Sequence, residues 1–159
     1  MILEKDIQRI VKLAKAQFIL EDHSIHGFDH WEEVEQNGIM LANQPGVDLT
    51  IVRLFAYIHD CKRQDDYQDA EHGDRSADFV LELVEKGELS FLTKEQINKL
   101  WSACKYHHKG VTDTDPTIGS CFDADRIELI RCGMVPRPNL MNTPTGIRIA
   151  EKMQKLYNF

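Results

Sequence analysis

The sequence predicts an all-α fold, a single-domain helical bundle over residues 1–159, and three observations carry that prediction. Apolar residues recur at steps of three and four through most of the chain. Helix start and stop signals bracket those stretches, such as Thr93 with Gln96 at one start and Asn43-Gln44-Pro45-Gly46 at one stop. There is no convincing run of alternating apolar and polar residues to suggest a half-buried strand.

Taken in order, Leu3, Ile7, Ile10, Val11, Ala14 and Phe18 form one apolar face of a helix over residues 3–20. Residues 21–30 follow as a polar loop with three histidines, His23, His26 and His30. Asp29 is placed to N-cap a helix that starts at His30. That helix carries Trp31, Val34, Gly38 and Leu41 on one face and stops at Pro45-Gly46. A central helix is expected over residues 49–62, then a solvated acidic loop from Asp65 to Asp69. Residues 71–86 read as a helix with Ala77, Val80, Leu83 and Val84 inward and Gly87 near its end. The Thr93/Gln96 capping box opens a helix through Ile97, Leu100, Trp101 and Cys104 to His107. Gly, Thr, Asp and Pro mark a loop over 109–120, with Asp113 and Asp115 as turn residues, and a short helix carries Asp123 to Glu128. Pro136, Pro138 and Pro144 punctuate an irregular segment. A last helix over 145–157 is expected to bury Ile149, Met153 and Leu156.

Composition narrows the function. Charged residues make up 28% and hydrophobic residues 42% of the 159, enough for a real core. The net charge of −7 argues against nonspecific nucleic-acid binding, which needs a basic footprint. It leaves room for a small phosphorylated ligand, because a bound cation reverses the local field. Cys61, Cys104, Cys121 and Cys132 form no CxxC pair and read as buried thiols in a reducing compartment. The charged start, Met1 to Asp6, is unlike a signal peptide, and no stretch approaches the roughly 18 apolar residues of a membrane span. The expected location is the cytoplasm, with no membrane partner.

The most informative stretch is Leu54-Phe55-Ala56-Tyr57-Ile58-His59-Asp60, an apolar run that ends in two adjacent metal-type ligands. Adjacent side chains on a helix diverge by about 100°, so this pair serves one site only near a helix end or where a ligand bridges them. His30, His72, His107, His108, Asp123 and Asp125 complete the set of ligand-type residues. Several fall at or near expected helix ends, where helices of a bundle can converge on one pocket. Imidazole with carboxylate suits a divalent metal, and the lack of a thiolate set points to a site with open positions. His107 and His108 are adjacent, so only His107, on the face of Ile97, Leu100 and Cys104, is expected to point inward.

The order His30, then His59-Asp60, then Asp125 within Asp-Ala-Asp-Arg resembles the H…HD…D pattern of the HD-domain superfamily of metal-dependent phosphohydrolases. The local sequences His26-Gly27-Phe28-Asp29-His30-Trp31, Glu71-His72-Gly73 and Asp123-Ala124-Asp125-Arg126-Ile127 are similar too. The likeness is greater to the small stand-alone bacterial members than to multidomain regulators. It implies a bundle in which His30, His59, Asp60 and Asp125 hold one divalent metal, with His72 and His107 as ligands of a second metal or as phosphate contacts. The metal would be Mn, Fe, Co, Ni, Zn or Mg, one or two per chain. Asp123 would then stand behind a ligand histidine, and Arg126 would pair with a ligand carboxylate.

Such a site implies hydrolysis of a phosphate ester or anhydride, with a nucleotide or related small molecule as substrate and a metal-activated water as nucleophile. Asp60 would bridge metals or accept the water's proton. Arg63, four residues after His59, is the expected phosphate contact, because its planar fork matches phosphate oxygens. Lys62 and Lys105 are further cations for the substrate. The alternatives are a regulatory module that binds metal or nucleotide without turnover, and a di-iron oxygenase of the same superfamily.

Overall fold

A computed structural model describes residues 4–157; the Leu3 position of the first apolar face lies outside them. It contains seven α-helices and no strand among the described residues. They are α1 Glu4–Gln17, α2 Phe28–Leu41, α3 Leu49–Ile58, α4 His72–Glu85, α5 Lys94–Tyr106, α6 Pro116–Ile127 and α7 Pro144–Tyr157. Two short 3-10 turns, Glu128–Cys132 and Pro138–Leu140, link α6 to α7.

The bundle is built around α3. Its residues Ile51, Val52, Leu54, Phe55, Ala56, Tyr57 and Ile58 are all buried, so it is apolar nearly all round and must be enclosed. It packs against α1, α2, α5 and α6. Asp48 caps its start by accepting from the backbone N–H groups of Thr50 and Ile51. The Asp48 carboxylate also accepts from Gln96 Nε2 (2.8 Å), which ties the start of α5 to the start of α3. Gln96 belongs to the expected capping box, and both of the box's hydrogen bonds are present. At the other end, Ser76 of α4 donates to the His59 carbonyl (2.7 Å). Gly38 lets α2 approach closely, since a Cβ there would sit 2.3 Å from Val52 Cγ1.

Several expectations need correction. α3 ends at Ile58, not at residue 62: His59 is its C-cap and Asp60 begins a turn. Gly27, not Asp29, is the N-cap of α2, which starts at Phe28. The expected loop over 109–120 contains the start of α6, which Asp115 caps by accepting from the Thr117 and Ile118 N–H groups, with Pro116 opening the helix. Val84 and Leu156 face outward, 39% and 69% exposed, and α7 instead buries Gly146 and Ala150. Asp69 is not solvated, since it accepts from Arg75 and from the Gln64 N–H. Cys61, Cys104 and Cys121 are buried, whereas Cys132 is only partly so. No described helix is long and apolar enough to cross a membrane.

Candidate metal centre and its pocket

Four side chains meet where the helix ends converge. His30 comes from the first turn of α2, His59 and Asp60 from the end of α3, and Asp125 from the last turn of α6. His30 Nε2 lies 3.2 Å from His59 Nε2, 3.2 Å from Asp125 Oδ1 and 3.5 Å from Asp60 Oδ2. His59 Nε2 lies 3.4 Å from each of those two oxygens. Donors around one ion at about 2.0–2.2 Å stand at separations of this size. His59 Nδ1 donates to the Ala56 carbonyl (2.9 Å), which leaves the Nε2 lone pair facing the cluster. His30 Nδ1 is buried without a hydrogen bond, and its nearest carboxylate is Glu128, at 3.7 Å. In donor chemistry and spacing, the four residues fit a divalent ion.

Asp60 turns its other oxygen to a second group. Oδ1 is 3.4 Å from His72 Nε2 and 3.6 Å from His107 Nε2, and those nitrogens are 3.0 Å apart. His72 donates through Nδ1 to the Asp69 carbonyl (2.5 Å), and His107 does so to the Cys104 carbonyl (2.7 Å). Both Nε2 atoms therefore face Asp60 as acceptors. His108 comes in as well, contrary to expectation. Its ring centroid is 4.3 Å from that of His72, and Nε2 donates to the Ala70 carbonyl (2.9 Å). His107 keeps helical dihedrals (φ −56°, ψ −32°), so His108 still diverges from it and packs against the His72 ring. Gly73 makes the room, because a Cβ there would meet His108 Cε1 at 2.5 Å.

The site is strongly polarised. Burial disfavours a charge on Asp60, but nearby His59 and contacts from His107, His26 and His30 hold its carboxyl well below the usual range. Burial likewise opposes the Asp125 charge, and His30 and His59 overcome it. On His30, burial is outweighed by Asp125, Asp60 and Glu128, which raise it to about 10. His59 rises to about 9 against its own burial, chiefly through Asp60. His72 moves the opposite way, to about 3, through burial and the neighbouring His107. Like groups with opposed shifts in one cleft mark a chemical site.

Above the clusters opens a cavity of about 1000 Å³. Arg63 lines it: Nη1 donates to the Asp65 carbonyl (2.7 Å), and buried Nε has no hydrogen-bond partner. Lys62 does not reach it; its Nζ donates to Gln17 Oε1 (2.8 Å) and sits over the Phe79 ring. Lys105 is also away from it, paired with Asp74 at 3.0 Å. Neither lysine is placed to hold a substrate. Asp123 does not back a histidine. Its oxygens accept from the N–H groups of Asn142 and Thr143 and from both side chains, which anchors the start of α7. Arg126 makes no ion pair with a ligand carboxylate; it donates to the Leu140 and Val111 carbonyls and braces the loops around the cavity.

A scan of family models finds no match, and no curated protein matches either. Two solved structures do. One, from an uncultured Thermotogales bacterium, is described as a predicted HD superfamily hydrolase. It aligns with a TM-score of 0.72 and 19% identity over 95% of this chain and 86% of that one. The other, from Lactobacillus plantarum, aligns with a TM-score of 0.66 and 17% identity over 99% and 96%. The chain has the HD-domain fold.

Within this HD-domain fold, sequence reasoning left two pocket residues without a definite role. His26 lies 3.2 Å from Asp60 Oδ2 and donates through Nε2 to the Asp66 carbonyl (3.0 Å). Arg131, on the 3-10 turn after α6, donates to the Ile25 and Glu128 carbonyls and brings Nη2 to 3.3 Å from His26 and 3.2 Å from His30. The His26 and Gly27 pair beside His30 was a weak local signal. Arg131 had none, because the histidines it reaches lie more than 100 residues away in sequence.

Proposed function

We propose that this protein is a metal-dependent phosphohydrolase acting on a small phosphorylated molecule of the nucleotide class. The observation that supports this most is the convergence of His30, His59, Asp60 and Asp125 beneath an arginine-lined cavity. Two solved structures of the same fold, one of them described as a predicted HD superfamily hydrolase, favour the same reading. His30, His59, Asp60 and Asp125 would hold one divalent ion, and His72 and His107 would hold a second that shares Asp60. An ion there supplies Lewis acidity, polarising a phosphoryl oxygen and acidifying water.

The chain's own residues do the rest. Arg63, whose Nε stands 3.6 Å from Asp60 Oδ1 without a hydrogen bond, binds phosphoryl oxygens, and its bond to the Asp65 carbonyl fixes the plane of its fork. Asp60, kept ionised, turns Oδ2 to His30 and His59 and Oδ1 to His72 and His107, so it would serve both groups as a ligand. His72, kept neutral, offers a lone pair rather than a proton. Arg126 keeps the loops over the cavity in place. The test is elemental analysis of the purified protein, followed by a phosphate-release panel of nucleotides and p-nitrophenyl phosphate with Mn, Fe, Co, Ni, Zn or Mg added back. One or two ions per chain with phosphate release support the reading. Two irons without phosphate release point to oxygenase chemistry. Metal binding without any turnover points to a regulatory module.

A further inference from the structure

The cavity holds more positive charge than one phosphoryl group would offset. Four guanidinium groups line it, from Arg63, Arg126, Arg131 and Arg137, against three carboxylates, Asp60, Asp66 and Asp125. A doubly charged ion at Asp60 and Asp125 offsets two of those carboxylates, so three positive charges remain uncompensated in a chain whose net charge is −7. The volume, about 1000 Å³, also far exceeds that of a single phosphate.

The arginines differ in what they are free to do. Arg126 is held by two carbonyls. Arg131 is fixed by the Ile25 and Glu128 carbonyls with Nη2 aimed at the histidine cluster. Arg137 lies six residues further on, beyond Gly133, whose φ of +75° turns the chain along the cavity wall. It is exposed, and its guanidinium makes no hydrogen bond or ion pair among the described residues. We infer that Arg137, on the wall beyond Arg131, reads a second anionic group, so that the substrate carries two: one gripped at the cluster between Arg63 and Arg131, the other bound at the rim by Arg137.

This rests on reading the cluster as a phosphohydrolase centre, and binding can be measured apart from turnover. Titration calorimetry on the Mn-loaded protein would compare adenosine 5′-monophosphate with adenosine 5′-diphosphate and adenosine 3′,5′-bisphosphate. Wild type is expected to prefer at least one of the two-phosphate ligands by about 10- to 100-fold, the effect of one charge-assisted contact. Arg137→Gln should bring that ratio close to one. Arg131→Gln, with Arg131→Lys as the milder variant, should weaken all three ligands together. Equal affinity for the three in wild type, or a preference that survives Arg137→Gln, overturns the inference. A preference lost in Arg137→Gln, with no phosphate released from any ligand, keeps the second subsite and removes the hydrolase reading instead.

Discussion

At the scale of single residues, Asp60 decides the most. One carboxylate faces two groups of imidazoles, with Oδ2 toward His30 and His59 and Oδ1 toward His72 and His107. Asp60→Asn keeps the shape and removes the charge. It is expected to lower metal affinity more than about 100-fold, beyond the usual effect of changing an outer partner, with the helical circular dichroism unchanged. Full metal content in that variant would refute the ligand assignment. The pH dependence follows from His30 and His59, raised from 6.5 to about 10 and about 9. Raised values mean that their protonated forms stabilise the metal-free fold fully below pH 6.5, a contribution lost as pH climbs through 9 and 10. An ion needs both Nε2 atoms unprotonated, so its binding near pH 7.5 should expel about one to two protons and tighten as pH rises. Indicator-dye titration of metal-free protein with Mn would measure the release. No release would mean that both rings are already neutral.

At the scale of elements, the legible helices were those with one wet face. α1, α2, α4 and α5 each show apolar residues at helical spacing, and α5 also announces itself through Thr93 and Gln96. α6 was half missed for a physical reason. Of its twelve residues, all but Pro116 and Asp125 are buried, including Thr117, Gly119 and Ser120, so no polar stripe sets a period. Its cap, Asp115-Pro116, was in plain view but reads equally well as a turn. Asp115→Ala should cost about 1 kcal/mol of stability without changing metal stoichiometry. Gly38→Ala should cost about 1–3 kcal/mol by forcing α2 away from Val52. Thermal denaturation checks both. A Gly38→Ala protein as stable as wild type would mean that the α2–α3 contact gives way freely.

At the scale of the whole molecule, the resemblance carried by the order of His30, His59, Asp60 and Asp125 anticipated that these four side chains meet, each at or next to the end of a helix. What the sequence hid was the far wall. Arg131 and Arg137 reach the pocket through the segment after α6, where three prolines and two 3-10 turns leave no period to read. The same geometry would make a bound metal a brace between α2, α3 and α6. Removing it with chelator should lower the melting temperature, and restoring it at about 100 times its dissociation constant should return about 2.7 kcal/mol, or about 5–10 °C in a chain of this size. A melting temperature indifferent to metal would separate the ion from the fold.

His30 and Asp125 stand 95 positions apart in the chain, yet their donor atoms are 3.2 Å apart. That separation has a consequence in time. The nitrogen and oxygen donors cannot coincide until α2, α3 and α6 have all docked, and contacts of such long range are late and slow to form. In a stopped-flow refolding experiment, uptake of the ion would therefore trail the appearance of helix, so that capture of metal marks the moment the chain has finished folding.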